Sequence, residues 1–176
     1  RQRSTVEKLL IAGQEELREV GHEALTIRTV ALRAGVSPAT AYTYLASKHH
    51  LFAELFLRHL AEEPEPDVVG GTVTERVQQA ARGVVDRLVI ERALAAAVTP
   101  ALLGSDPDVV RLRLRIGAEF VSRFDAALRE PGSDDPVDPF VLEVLVLTLS
   151  GALLQAGMGV MTYDEMADRL ESAVAV

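Results

Sequence analysis

The chain has no cysteine. A disulfide framework and a thiolate metal site are therefore excluded, and a reducing cytoplasm is the expected compartment. Histidine is confined as well: His22, His49, His50 and His59 all fall in the first sixty residues. The remainder has no imidazole for acid-base chemistry, and its carboxylates fall mainly in loops, first turns and solvated faces. Glu119 alone is flanked by apolar residues on a helix, and it too reads as surface. His49 and His50 are adjacent, so they cannot close on one ion from one helical face; no metal and no cofactor are expected. Gly70-Gly71 lacks the lysine and the flanking strand of a phosphate loop. No segment alternates convincingly enough to be a strand, and no internal repeat appears. The opening RQRSTVEKLL lacks the apolar run of a signal peptide. Without a leading methionine there is room for a basic arm ahead of Arg1. Together these absences argue against an enzyme.

What is present is ordinary globular material: 176 residues, 48% hydrophobic and 25% charged, with enough apolar mass for one large or two small cores. The net charge of -8 is unevenly spread. Residues 1–60 carry eight Lys+Arg against six Asp+Glu, while residues 61–176 carry ten against twenty. A slightly basic head and an acidic body follow, an asymmetry that suits a phosphate-facing surface at one end.

The informative stretch is Leu25 to Leu51, LTIRTVALRAGVSPATAYTYLASKHHL. Thr26 is a good N-cap for a helix over about Ile27–Ala34, and Gly35 supplies the left-handed residue that stops it. Ser37 then caps a second helix opened by Pro38, where the missing amide costs nothing. So short a turn makes the helices cross steeply, as in a helix-turn-helix. Ile27, Val30, Ala31 and Val36 hold the pair together. The second helix, to about Leu45, shows small, hydroxylated and aromatic residues suited to base edges, thymine methyls and phosphates. Pro38, Ala39 and Thr40 lie where base edges are read. Thr26, Arg28, Tyr42, Tyr44 and Lys48 are placed to meet phosphate, and Ser47-Lys48 opens a further helix.

The runs Thr26-Ile-Arg-Thr-Val-Ala31, Ala34-Gly-Val-Ser37, Tyr42-x-Tyr44 and Ser47-Lys48-x-x-Leu51 resemble the N-terminal DNA-binding domain of TetR-family transcriptional regulators, over about Val6 to Leu57. Two departures stand out. Leu45 replaces the usual phenylalanine, and His49-His50 replaces acidic or polar residues, where protonated imidazoles in a first turn oppose the helix dipole. The resemblance implies a homodimeric repressor on a palindromic double-stranded operator, with a C-terminal domain that binds an effector.

The rest of the chain reads as all-α. Ser4–Val20 is a helix with Gly21 as its stop, and Leu51, Phe52, Leu55, Phe56 and Leu60 stripe a fourth helix that joins head to body. Glu62–Gly71, EEPEPDVVGG, is the clearest linker. It divides a helix-turn-helix domain, 1–61, from a helical ligand-binding and dimerisation domain, 72–176. Helices are expected over Thr72–Ile90 and Glu91–Leu103, the latter broken or kinked at Pro100. A further helix follows a Ser105 or Asp106 cap to about Arg129, and a last one runs Thr162–Val174. Phe140–Met161 is long enough to span a bilayer. Acids flank it, and no lysine or arginine is near to anchor a span. It is expected instead to be buried all round, partly by its own chain and partly by a second copy, with no membrane partner.

The resemblance implies that the middle helices enclose an effector pocket. Periodicity suggests Leu94, Val98, Leu102, Ile116, Phe120 and Phe124 as its lining, and hence a mostly apolar small molecule. Dimer contacts are assigned to Val144, Leu147, Gly151, Leu154 and Met158, with Met166 and Leu170 on the last helix. The competing expectation is an apolar-ligand carrier or small helical enzyme without DNA binding; such a protein has no need to expose a polar-aromatic helix.

Overall fold

The computed structural model describes residues 2–62, 71–130, 132–133 and 135–174. Nine helices and no strand are found among them: α1 Gln2–Ala24, α2 Ile27–Arg33, α3 Pro38–Tyr44, α4 Lys48–Glu62, α5 Val73–Ile90, α6 Arg92–Leu102, α7 Pro107–Leu128, α8 Pro139–Gly157 and α9 Tyr163–Val174. The all-α expectation holds. Of the linker Glu62–Gly71, residues 63–70 lie outside the described part.

Local chemistry explains most starts. Glu75 and Glu165 reach back to the amides of Thr72 and Thr162, both at 2.7 Å, while each threonine hydroxyl receives the acid's own amide. These are reciprocal caps that satisfy two orphan donors at once. Their hydrogen bonds hold the Glu165 carboxyl below the usual range, the Thr162 amide contributing most. Asp138 Oδ1 accepts the Phe140 amide at 2.9 Å, and Pro139 opens α8.

Gly21 interrupts α1 as expected: its backbone, at φ 76 and ψ 169, is non-helical and kinks the chain, and one further turn runs to Ala24. One expectation needs correction. Pro100 does not break α6. It stands near the C-terminal end, where the bond lost to its missing amide is among the helix's last.

Contacts group the described chain into two compact units. One comprises the residues up to His59 together with Glu91–Arg113; the other comprises Leu60–Ile90 and Leu114 onward. The first contains α1 to α3, most of α4, α6 and the start of α7. Its core is Leu9, Leu17, Leu25, Val30, Leu51, Phe52 and Phe56, all essentially without solvent exposure. Each buried phenylalanine contributes about 2–3 kcal/mol. Gly13 brings α1 against α4: a Cβ there would lie 2.8 Å from Leu51 Cδ1. Arg18 pairs with Glu91 at the start of α6 and holds its carboxyl below the usual range.

In the second unit α5 packs along α9, and α9 also meets α8. Val84, Val85, Leu149 and Met166 are fully buried. Three arginines are buried too, and each donates to main-chain carbonyls. Arg76 Nε donates to Ala127 O at 3.0 Å and caps the end of α7, while Arg87 and Arg123 both donate to Leu60 O in the last turn of α4. Cations near helix C-termini offset the carbonyl end of the dipole. α8 is long and apolar enough, by length and composition alone, to cross a membrane. Among the described residues only Leu149 and Ala156 of it are buried, less than the expected burial all round.

Candidate nucleic-acid interface

α2 is held by its first residues. The Thr26 hydroxyl accepts the Thr29 amide at 3.1 Å, and the Thr29 hydroxyl accepts the Thr26 amide at 3.2 Å. Gly35, at φ 67, lets the chain turn back. Ser37 Oγ accepts the Thr40 amide at 3.1 Å and lies 2.8 Å from the Thr40 hydroxyl, so the cap and a proposed base-reading residue form one hydroxyl pair. Ala41 faces α2 and is fully buried, as are Val30 and Ala31 opposite it. That packing aims the other side of α3 outward. Pro38, Ala39, Tyr42 and Thr43 are exposed, with Tyr42 at 48%, while Thr40 and Tyr44 are half-buried. The Thr43 hydroxyl donates to Ala39 O at 3.0 Å, leaving its methyl and the oxygen's two lone pairs to other partners.

Arg28 is exposed on α2. Arg33 is not available in the same way, because its guanidinium pairs with Glu16 and Glu19 of α1. Lys48 has a role that sequence reasoning missed. Its Nζ donates to His22 O and Glu23 O, both at 3.1 Å, and so caps the end of α1. An ammonium has three N–H bonds, and these two leave one for a phosphate. Leu45 is 2% exposed and fills the core at the exit of α3, so leucine serves there in place of phenylalanine.

Residues 9–55 match the profile of bacterial regulatory proteins of the tetR family. HTH-type transcriptional regulators of Mycobacterium tuberculosis and Mycobacterium bovis are 43% identical over 178 residues, covering all of this chain and 81% of theirs. The chain belongs to the TetR family. A TetR transcriptional regulator from Rhodococcus sp. RHA1 has the same fold, with a TM-score of 0.76 at 22% identity over 98% of this chain and 94% of that one. FadR from Bacillus subtilis, solved in complex with stearoyl-CoA, superposes with a TM-score of 0.65 at 17% identity over 96% and 97%. As a TetR-family member the protein is a DNA-binding transcriptional regulator, with an N-terminal helix-turn-helix domain and a C-terminal helical domain.

The other assigned residues are placed less simply. Leu94, Val98 and half-buried Leu102 pack in the first unit, whereas Ile116, Phe120 and Phe124 are core residues of the second. Leu94, Val98, Ile116, Phe120 and Phe124 are packed in their own units, which is a structural role in itself. Of the dimer set, Val144, Leu147, Leu154 and Met158 are exposed, Leu147 at 63%, and Gly151 is half-buried among them. Met166 and Leu170 are 0% and 4% exposed within their own chain. An open groove of about 360 Å³ runs along α8 and α9, lined by Leu147, Gly151, Ala152, Met161, Leu170 and Ala173 among others.

Proposed function

We propose that this TetR-family regulator is an effector-responsive repressor in the cytoplasm that binds a palindromic operator as a homodimer. The observation that carries this reading is the exposed face of α3, Pro38, Ala39, Tyr42 and Thr43, backed by Ala41 in the core. A helix that buries one small residue and presents hydroxyl, ring and methyl groups is matched to the major groove. Thr26, Arg28, Tyr44 and Lys48 flank it as phosphate contacts, Ser37 holds its start, and Thr40 meets a base edge.

Residues 1–61 read DNA and 72–176 hold effector and partner. The partner copy covers α8: its outward face carries Phe140, Val144, Leu147 and Met158, an exposed apolar stripe of the kind that marks an interface. A mostly apolar effector fits this reading, since the same fold holds stearoyl-CoA in Bacillus subtilis FadR. Differential affinity of that effector for two arrangements of the reading heads lowers operator affinity.

A gel shift of the purified chain on the DNA upstream of its own reading frame tests the first part. A discrete, competitor-resistant band supports it, and binding no tighter than to random DNA refutes it. A thermal-shift panel tests the second: long-chain acyl compounds and aromatics raise the melting temperature, and stabilisation by small polar metabolites alone refutes it.

A further inference from the structure

His49 and His50 depart from the family pattern, and neither DNA reading nor dimerisation uses them. His50 stands in the first turn of α4, its side chain 14% exposed. Its amide donates to Ser47 Oγ at 3.1 Å, the cap of that helix. Its ring turns back on the chain: Nδ1 accepts the backbone amide of Ala46 at 3.2 Å. Ala46 follows Leu45, the C-cap of α3, so the imidazole holds the exit of the DNA-reading helix. A ring nitrogen can accept that bond only while it carries no proton.

A proton on Nδ1 has other places to turn. From the start of α7, Asp108 Oδ2 lies 3.8 Å from Nδ1; on α4 itself, Glu54 Oε1 lies 3.9 Å from Nε2. Asp106, also at the start of α7, accepts the Ser47 hydroxyl at 2.9 Å and the Asp108 amide at 2.9 Å. The Asp108 amide, then the Ser47 hydroxyl, holds its carboxyl below the usual range, so it stays ionised in mild acid. Arg111 pairs with Asp108 from one turn along α7, and His49 and Lys48 are the remaining titratable neighbours on α4.

We propose that His50 is a proton-operated latch on the exit of α3. When neutral, it holds the Ala46 amide and keeps the recognition helix in its reading position. Taking a proton from solvent on Nδ1, it releases that amide and turns its N–H toward Asp108, and operator affinity falls. The direction is diagnostic, because a proton on His22 or His49 adds positive charge to the head and tightens binding to phosphate. The affinity part rests on the reading of α3 as the groove-entering helix.

The test uses the full chain and two readouts. In ¹⁵N–¹H spectra between pH 8 and 5.5, the Ala46 amide shifts along the titration curve of the His50 ring. In His50→Asn, whose side-chain oxygen is a permanent acceptor in the place of Nδ1, it does not shift; His50→Gln serves if that variant folds poorly. Fluorescence anisotropy on the upstream DNA, at fixed ionic strength, shows wild-type affinity falling about three- to tenfold over the same span, as loss of one hydrogen bond dictates. His49→Asn retains this dependence and His50→Asn loses it. An Ala46 amide indifferent to pH overturns the latch, and so does equal pH dependence in wild type and His50→Asn. An amide that titrates in a protein with no specific DNA affinity at either pH overturns instead the groove reading on which the affinity part rests.

Discussion

Lys48 shows how one side chain can serve both structure and recognition. Two of its donors cap α1 through His22 O and Glu23 O, so Lys48→Ala should lower the stability of the full chain by about 1 kcal/mol in chemical denaturation. If its third donor meets phosphate, the same variant binds every DNA sequence more weakly and reduces the salt slope by about one. Thr40→Val should behave differently. It removes the hydroxyl paired with Ser37 Oγ while keeping shape and charge, so sequence preference changes and the salt slope does not. Uniform weakening by both changes would refute that division of labour. Asp106 adds a pH dependence of known sign. A carboxyl held below its usual range stabilises fully above that range and progressively less as pH falls through the lowered value. Asp106→Asn should therefore flatten the acid limb of a stability-against-pH curve; an unchanged limb would show that the Ser47 and Asp108 hydrogen bonds do not matter to folding.

Among the elements, the starts of α2, α3 and α9 were legible because a cap is a local device: Thr26 before Ile27, Ser37 before Pro38, Thr162 ahead of the acids of its first turn. Gly21 was legible for the same reason: left-handed glycine is a local stop, whereas the further turn to Ala24, followed by Leu25 N donating to Gly21 O, was not. Long-range features were hidden. Arg123 donates to a carbonyl 63 residues away, and the close approach of Gly13 to Leu51 exists only once α1 and α4 pack. In the interface, exposure of α3 followed from its composition, but the hold of Lys48 on α1 and of His50 on Ala46 did not, because each depends on where a loop turns. Gly13→Val should destabilise by about 2 kcal/mol through overpacking against Leu51. Gly35→Ala should cost about 1 kcal/mol through its left-handed backbone, since no atom lies within 4 Å of a Cβ there. Equal stability of either variant and wild type in denaturant titrations would contradict the packing described.

For the whole molecule, the proposed second copy accounts for what the chain leaves uncovered. α8 carries no charge after Glu143 and shows Leu147, Leu154 and Met158 to solvent. Leu147→Glu should therefore leave the monomer fold intact and weaken self-association at least about thirtyfold, as an interface anchor does; sedimentation would show monomer at concentrations where wild type is dimeric. The most direct test of the account is a hydroxyl-radical footprint of the full chain on its upstream DNA. Two protected patches about one helical turn apart, roughly 34–36 Å, made by two chains per duplex and shifted in sequence preference by Thr40→Val, are predicted. Protection by one chain, or protection indifferent to sequence and to Thr40, would contradict it.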